Sequence, residues 1–128
     1  MICLVDTSAL AKLVAVEPES AALKAYLHAA TGDQFVISTL ALVELRRFAT
    51  RVGLHPTLPM AAAERFDVLA LTEPMLHLAG TFPQANLGTL DAIHLATAVI
   101  VGADTLVTYD SRQGDAAAQE GLNVEAPA

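Results

Sequence analysis

Ile2-Cys3-Leu4-Val5-Asp6-Thr7-Ser8 decides the fold. Four apolar residues run without alternation and stop at a carboxylate. Such a run reads as a strand buried on both faces, as in a parallel sheet covered by helices. Thr7 and Ser8 are helix-capping types, so a helix is expected from Ala9 to about Val14. Pro18 suits the first turn of a second helix, Glu19 to Ala30. Gln34-Phe35-Val36-Ile37 is a second strand, and Ser38-Thr39 caps a long helix that ends near Gly53. Beyond the loop His55–Pro59, the pattern predicts a helix from about Met60, a short strand Val68–Leu71 and a helix from Pro74 to about Phe82. Pro83–Gly88 is a loop. Thr89 caps an almost wholly apolar helix, Leu90 to Val101. Thr105–Tyr109 is a strand ending in Asp110, followed by a helix to Glu120 and a last strand, Leu122–Val124. Short apolar strands alternating with helices predict an α/β three-layer sandwich with a mostly parallel central sheet of about five strands.

Composition bounds the rest. The chain has 128 residues, enough for one domain over 1–128 with its own core. At 54% hydrophobic and 16% charged it is not a disordered chain. Its one cysteine, Cys3, excludes an internal disulfide and a cysteine-based zinc site. No segment has the makeup of a signal peptide or the ~20 apolar residues of a membrane span, so a soluble cytoplasmic protein is expected. The net charge of −7, from 14 acidic and 7 basic side chains, opposes bulk electrostatic binding of nucleic acid. Any polyanion would have to be held by a local patch or through cations.

In open α/β sheets the working site lies beyond the carboxyl ends of the strands, where strand order reverses. Asp6 and Asp110 follow strands, Asp91 opens the apolar helix, and Glu44 lies early in the long helix, at the edge of the stripe Ala41, Leu45, Phe48, Val52. Each acid also has a plain structural reading. Asp6 and Asp110 suit helix caps. Asp91 opposes a helix dipole. Glu44 pairs with Arg47 for about 0.2–0.5 kcal/mol. Four carboxylates at one sheet edge would repel, at ~1 kcal/mol per pair 4 Å apart in water and ~4 kcal/mol at an effective dielectric near 20. A hard divalent cation with oxygen ligands, Mg²⁺ or Mn²⁺, removes that repulsion and suits phosphate chemistry.

Val5-Asp6-Thr7-Ser8-Ala9-Leu10, Glu44-Leu45-Arg46-Arg47, Leu90-Asp91-Ala92-Ile93-His94-Leu95-Ala96 and Val107-Thr108-Tyr109-Asp110 resemble the four acidic motifs of PIN-domain ribonucleases, and most of all the VapC toxins of toxin–antitoxin pairs. The resemblance spans residues 1 to about 124, in order and spacing. It implies a PIN-like fold and a metal-dependent endoribonuclease that hydrolyses RNA phosphodiester bonds with metal-activated water, in line with the leaving 3′ oxygen. By the same resemblance Asp6 and Asp91 are the principal Mg²⁺ ligands (Mn²⁺ in its place), and Glu44 and Asp110 complete the cluster directly or through water. Thr7, Ser8 and Thr108 match hydroxyls that steady the acids or a water. It implies a cognate VapB-type antitoxin as partner, and a homodimer or a toxin–antitoxin hetero-oligomer.

Positive charge for RNA is expected from Arg47, Arg51 and Arg112, with Arg46 equally suited to a solvated face. His94, three residues after Asp91, reads more readily as a packed histidine than as a general acid, and Asp115 as surface. A receiver domain needs a late lysine, and the last here is Lys24. A haloacid-dehalogenase phosphatase needs a second Asp at position 8, which is Ser, and a dinucleotide site needs glycines after the first strand. The remaining alternatives are a catalytically silent PIN-like binding module and a PIN nuclease acting on another nucleic acid.

Overall fold

A computed structural model describes residues 1–128. Its strands are β1 (Ile2–Val5), β2 (Gln34–Ser38), β3 (Asp67–Leu69), β4 (Thr105–Val107) and β5 (Asn123–Glu125). They form one sheet in the order β3-β2-β1-β4-β5, every pair parallel. The mostly parallel sheet expected from the sequence is thus wholly parallel. Strands are added to one side of β1 up to β3, and the chain then crosses to the other side for β4. The order therefore reverses between β1 and β4, where Val5 pairs with Val107.

Alternation along β1 divides the core into two. Cys3 and Val5 point to one face and Leu4 to the other, all nearly solvent-free. The first face is covered by α1 (Thr7–Val14), α2 (Ser20–Ala29), α3 (Thr39–Val52) and α4 (Thr57–Ala63), through Leu10, Leu23, Leu45 and Ile37 of β2. The second is covered by α6 (Thr89–Ile100) and α7 (Ser111–Gln119), through Leu95, Ala98, Ala116 and Ala117. A further helix, α5 (Glu73–Ala79), packs against α6. Two helical layers about a parallel sheet make the expected sandwich. No helix is long and apolar enough to cross a membrane.

Several boundaries move, each for a local reason. Asp6, not Thr7 or Ser8, caps α1, because its carboxylate reaches the Ala9 N–H. Pro18 and Glu19 form a turn before α2, which starts at Ser20. The long α3 is capped by Ser38 Oγ on the Ala41 N–H and closed by Gly53 at φ +75°, a left-handed stop that glycine adopts without strain. Its buried stripe is Ala41, Leu45 and Ala49, whereas Val52, expected in the stripe, is exposed. α4 begins at Thr57 behind Pro56, three residues before Met60. β3 is Asp67–Leu69 instead of Val68–Leu71, α5 stops at Ala79, short of Phe82, and β5 is Asn123–Glu125 instead of Leu122–Val124. Gly88 occupies the cap position of α6 without a side-chain bond, and Thr89 is the first helical residue. β4 ends at Val107, two residues before Tyr109, since Thr108 and Tyr109 turn the chain toward α7.

Candidate active site

The switch between β1 and β4 places Asp6 at its centre. Asp6 continues β1, and its N–H donates to the Val107 carbonyl (3.1 Å). Its carboxylate is 2% exposed. Oδ1 accepts from Ser8 Oγ (2.7 Å) and from the Ala9 N–H (3.0 Å), and Oδ2 accepts from Thr108 Oγ1 (2.5 Å). The two hydroxyls are themselves held, Ser8 Oγ by the Tyr109 N–H (2.9 Å) and Thr108 Oγ1 by the Asp110 N–H (3.1 Å). Burial pushes the Asp6 carboxyl above the usual carboxylate range, and the bonds from Ser8, Thr108 and Ala9 oppose that rise without cancelling it.

Asp110 caps α7. Its Oδ1 accepts the N–H groups of Arg112 (2.9 Å) and Gln113 (3.2 Å), which leaves Oδ2 without a hydrogen bond. The capping reading of Asp6 and Asp110 and their reading as site residues therefore coincide. A capping carboxylate gives an oxygen to the helix N-terminus and lies beside the cleft that the strand end opens.

Asp91 sits in the first turn of α6, half-buried, and its carboxylate accepts no hydrogen bond from the protein. Its carboxyl is pushed up first by burial and then by the charges of Asp110 and Asp6, with Glu44 adding to them and His94 opposing. The charges of the other three acids thus bear on one point, Asp91, although they arrive from the β1–α1 junction, from α3 and from the cap of α7. No group of three or more His, Cys, Asp or Glu side chains is arranged to hold a metal ion directly.

Glu44 reaches the site from α3. Its Oε1 accepts from Thr7 Oγ1 (2.7 Å) and is bonded to His94 Nε2 (2.5 Å), while Oε2 accepts nothing. Burial pushes the Glu44 carboxyl up, but the bonds from His94 and Thr7, aided by the charges of His94 and Arg51, bring it below its usual value. His94, at 1% exposure, is therefore a packed histidine with a site contact. That contact is to Glu44, not to Asp91.

The arginines read from the sequence as RNA contacts are all exposed. Arg51 is on the Glu44 helix and its charge is felt at Glu44. Arg112 Nε stands 3.9 Å from Asp110 Oδ1 with a largely exposed side chain. Arg47 is exposed and makes no ion pair, and Arg46 turns to the groove between α3 and α4 with Leu42, Pro59 and Met60. Asp115 is exposed.

Two residues near the acids escape sequence reasoning in part or whole. Only a polar side chain inside an apolar helix, shared there with Thr97, marked His94. Gln113 is fully buried, and its Nε2 donates to the Asp91 backbone carbonyl (3.2 Å), tying the first turn of α7 to that of α6. Its signal was a polar side chain on the otherwise small, apolar face of α7 shared with Ala116 and Ala117.

The family model described as PIN domain matches residues 3–119. The chain is 42% identical over 125 residues to ribonuclease VapC46 of Mycobacterium tuberculosis, covering 95% of both chains. It belongs to the VapC ribonucleases of the PIN-domain family. This VapC chain is likewise 42% identical over 113 residues to ribonuclease VapC47 of the same organism, covering 84% of this chain and 83% of the other. The fold agrees. VapC20 of M. tuberculosis, described as a toxin that cleaves the sarcin-ricin loop, superposes with a TM-score of 0.76 at 23% identity, over 98% of this chain and 99% of that one. FitAcB from Neisseria gonorrhoeae does so at 0.77 and 21%, over 99% and 98%. The resemblance read from the four acidic motifs is borne out at the level of family, fold and ribonuclease activity. PIN-domain ribonucleases are in general dependent on a divalent metal.

Proposed function

We propose that this VapC chain, as one PIN domain over residues 1–128, is the toxin of a VapBC-type pair in the cytoplasm. It hydrolyses RNA phosphodiester bonds at the Asp6, Glu44, Asp91, Asp110 site with Mg²⁺, for which Mn²⁺ can substitute. The observation that carries the reading is the convergence of three carboxylates on Asp91, whose own carboxylate is left without a hydrogen-bond donor. A fold that tolerates such repulsion at its switch point has a use for a cation there.

The donor set fits a hard cation. It is all oxygen, and Asp91, Glu44 Oε2 and Asp110 Oδ2 are free of protein hydrogen bonds. No three acids form a closed cage, which suits an ion that keeps several waters and takes one or two carboxylates. Asp6 and Asp91 would hold it, with Glu44 and Asp110 acting directly or through water. When bound, such an ion polarises a phosphate and lowers the pKa of its water. The chain's own part is positioning. Ser8 and Thr108 lock Asp6 and Thr7 locks one oxygen of Glu44, and the exposed Arg47, Arg51 and Arg112 would hold the RNA backbone. Hydrolysis forms a bond from the water oxygen to phosphorus and breaks the bond to the 3′ oxygen, which leaves in line.

The partner follows from the relatives. Solved neighbours of this fold include a VapBC complex from Rickettsia felis and a toxin–antitoxin complex from Klebsiella pneumoniae. A cognate VapB-type antitoxin is the corresponding partner here, and the acidic surface suits a basic one. Exposed Leu76, Leu90, Val99 and Ile100 on α5 and α6 support assembly into a homodimer or a hetero-oligomer.

The test is cleavage of a cellular RNA pool by the purified chain with Mg²⁺, Mn²⁺ or EDTA, beside Asp6→Asn and Asp91→Asn. Metal-dependent cutting lost in both variants supports the proposal. A folded wild type that neither cuts nor gains thermal stability from metal overturns it in favour of a silent binding module. Cutting of DNA alone assigns another substrate.

A further inference from the structure

His94 is the one buried imidazole of the molecule, and the chemistry above does not use it. It lies three residues after Asp91 on α6 and crosses to Glu44 on α3. Its Nε2 lies 2.5 Å from Glu44 Oε1 and 3.4 Å from Thr7 Oγ1, and Thr7 Oγ1 donates to that same Oε1. A carboxylate oxygen only accepts at neutral pH, so Nε2 carries the proton and Thr7 donates beside it. His94 Nδ1 is buried with no partner. A buried ring nitrogen without a partner costs free energy, which the bond from Nε2 to the Glu44 carboxylate offsets.

We propose that His94 is a positioning residue for Glu44. Together with Thr7 it commits Oε1 to the protein, so that Oε2 is the only Glu44 oxygen offered to the ion or to its water. This rests on the metal-site reading above and extends it to a residue outside the four acids. Residues behind a metal ligand that fix its orientation change affinity or activity by roughly 10–100-fold when removed. The contact also joins the helices that carry Asp91 and Glu44, so their separation is set by a side-chain bond as well as by packing.

The experiment compares His94→Leu, His94→Gln, Asp91→Asn and wild type by Mn²⁺ titration, read by electron paramagnetic resonance, and by RNA cleavage. Melting in EDTA checks that each variant is folded. Glutamine places its amide nitrogen near the position of Nε2 and restores the donor, whereas leucine does not. The expected result is that His94→Leu weakens Mn²⁺ binding and slows cleavage about 10-fold or more, while His94→Gln stays within about 3-fold of wild type, below that range. An independent reading, which does not need the leucine variant to fold, is ¹⁵N-histidine NMR of wild type and Glu44→Gln. The Nε2 resonance should be that of a protonated nitrogen and should move when Glu44 is changed. The inference is overturned if His94→Leu binds Mn²⁺ and cuts like wild type while Asp91→Asn has lost both, or if Nε2 is unprotonated. If Asp91→Asn loses neither, the metal-site reading itself fails and the inference falls with it.

Discussion

Thr108→Val tests the network around Asp6 without changing side-chain volume. Thr108 is buried, and its hydroxyl donates to Asp6 Oδ2 (2.5 Å) and accepts the Asp110 N–H (3.1 Å). Valine keeps the shape and loses both. A hydrogen bond to a charged group is worth about 1.5–3 kcal/mol, and a buried N–H left unpaired costs about 1–3 kcal/mol. Water reaches Asp110, whose side chain is 29% exposed, and softens the second loss. The net cost is then about 2–4 kcal/mol. At an unfolding entropy of ~2.1 cal/mol/K per residue, this chain loses about 4 °C per kcal/mol, so the melting temperature falls by about 7–15 °C. The assay is urea and thermal unfolding followed by circular dichroism in EDTA, with an unchanged urea slope. Repeating it in an Asp6→Asn background isolates the charge, since the bond then joins neutral groups. There the cost of Thr108→Val should shrink by about 1 kcal/mol. A Thr108→Val protein that melts within about 2 °C of wild type, or one whose cost is the same in both backgrounds, would refute the reasoning.

Other outcomes follow from the same structure. Leu95→Ala, in the second core at 0% exposure, should cost about 2–5 kcal/mol by cavity formation, whereas Val16→Ala at 97% exposure should stay within about 0.5 kcal/mol in the same urea assay. Asp6 has a folded carboxyl above its ordinary 3.8, so the folded state holds the proton over a window in which the unfolded chain has released it. Wild-type stability in EDTA should therefore fall relative to Asp6→Asn as pH rises through that window from below 3.8, and the gap should stay open at neutral pH. A gap independent of pH would contradict this. Lys12 bonds Glu17 (2.7 Å) and Glu19 (2.6 Å) under the Tyr109 ring, and these bonds outweigh burial to raise its pKa. Its contribution should be complete below 10.5 and vanish above, seen as a Lys12→Met difference that closes only at alkaline pH. Mn²⁺ at about 100 times its dissociation constant should add about 2.7 kcal/mol to stability, and calorimetry of Asp91→Asn should show none of it.

Much of this was written locally. Ile2–Val5 and Gln34–Ile37 announced buried parallel strands because neither is interrupted by an outward polar residue. Ser38 and Gly53 bounded α3 because one side chain bonds a free N–H and the other residue takes a positive φ, both properties of the residue itself. Asp6, Asp91 and Asp110 were legible because they stand at element ends, where a carboxylate serves no core, and Glu44 because it lies at the edge of an apolar helix stripe. Boundaries such as Val107 and Leu69 were not, because a strand ends where its neighbour's hydrogen bonds end, and that depends on residues far away in the chain.

The α/β class, the candidate carboxylates and the family could therefore be read from residue order alone, since periodicity and caps are short-range and the order and spacing of the motifs lie along the chain itself. Only the tertiary structure decided the order β3-β2-β1-β4-β5, the gathering of Asp110, Asp6 and Glu44 about Asp91, and the choice of Glu44 as the partner of His94, 50 residues away. Those depend on which helix faces meet across the sheet, and packing of the whole core sets that.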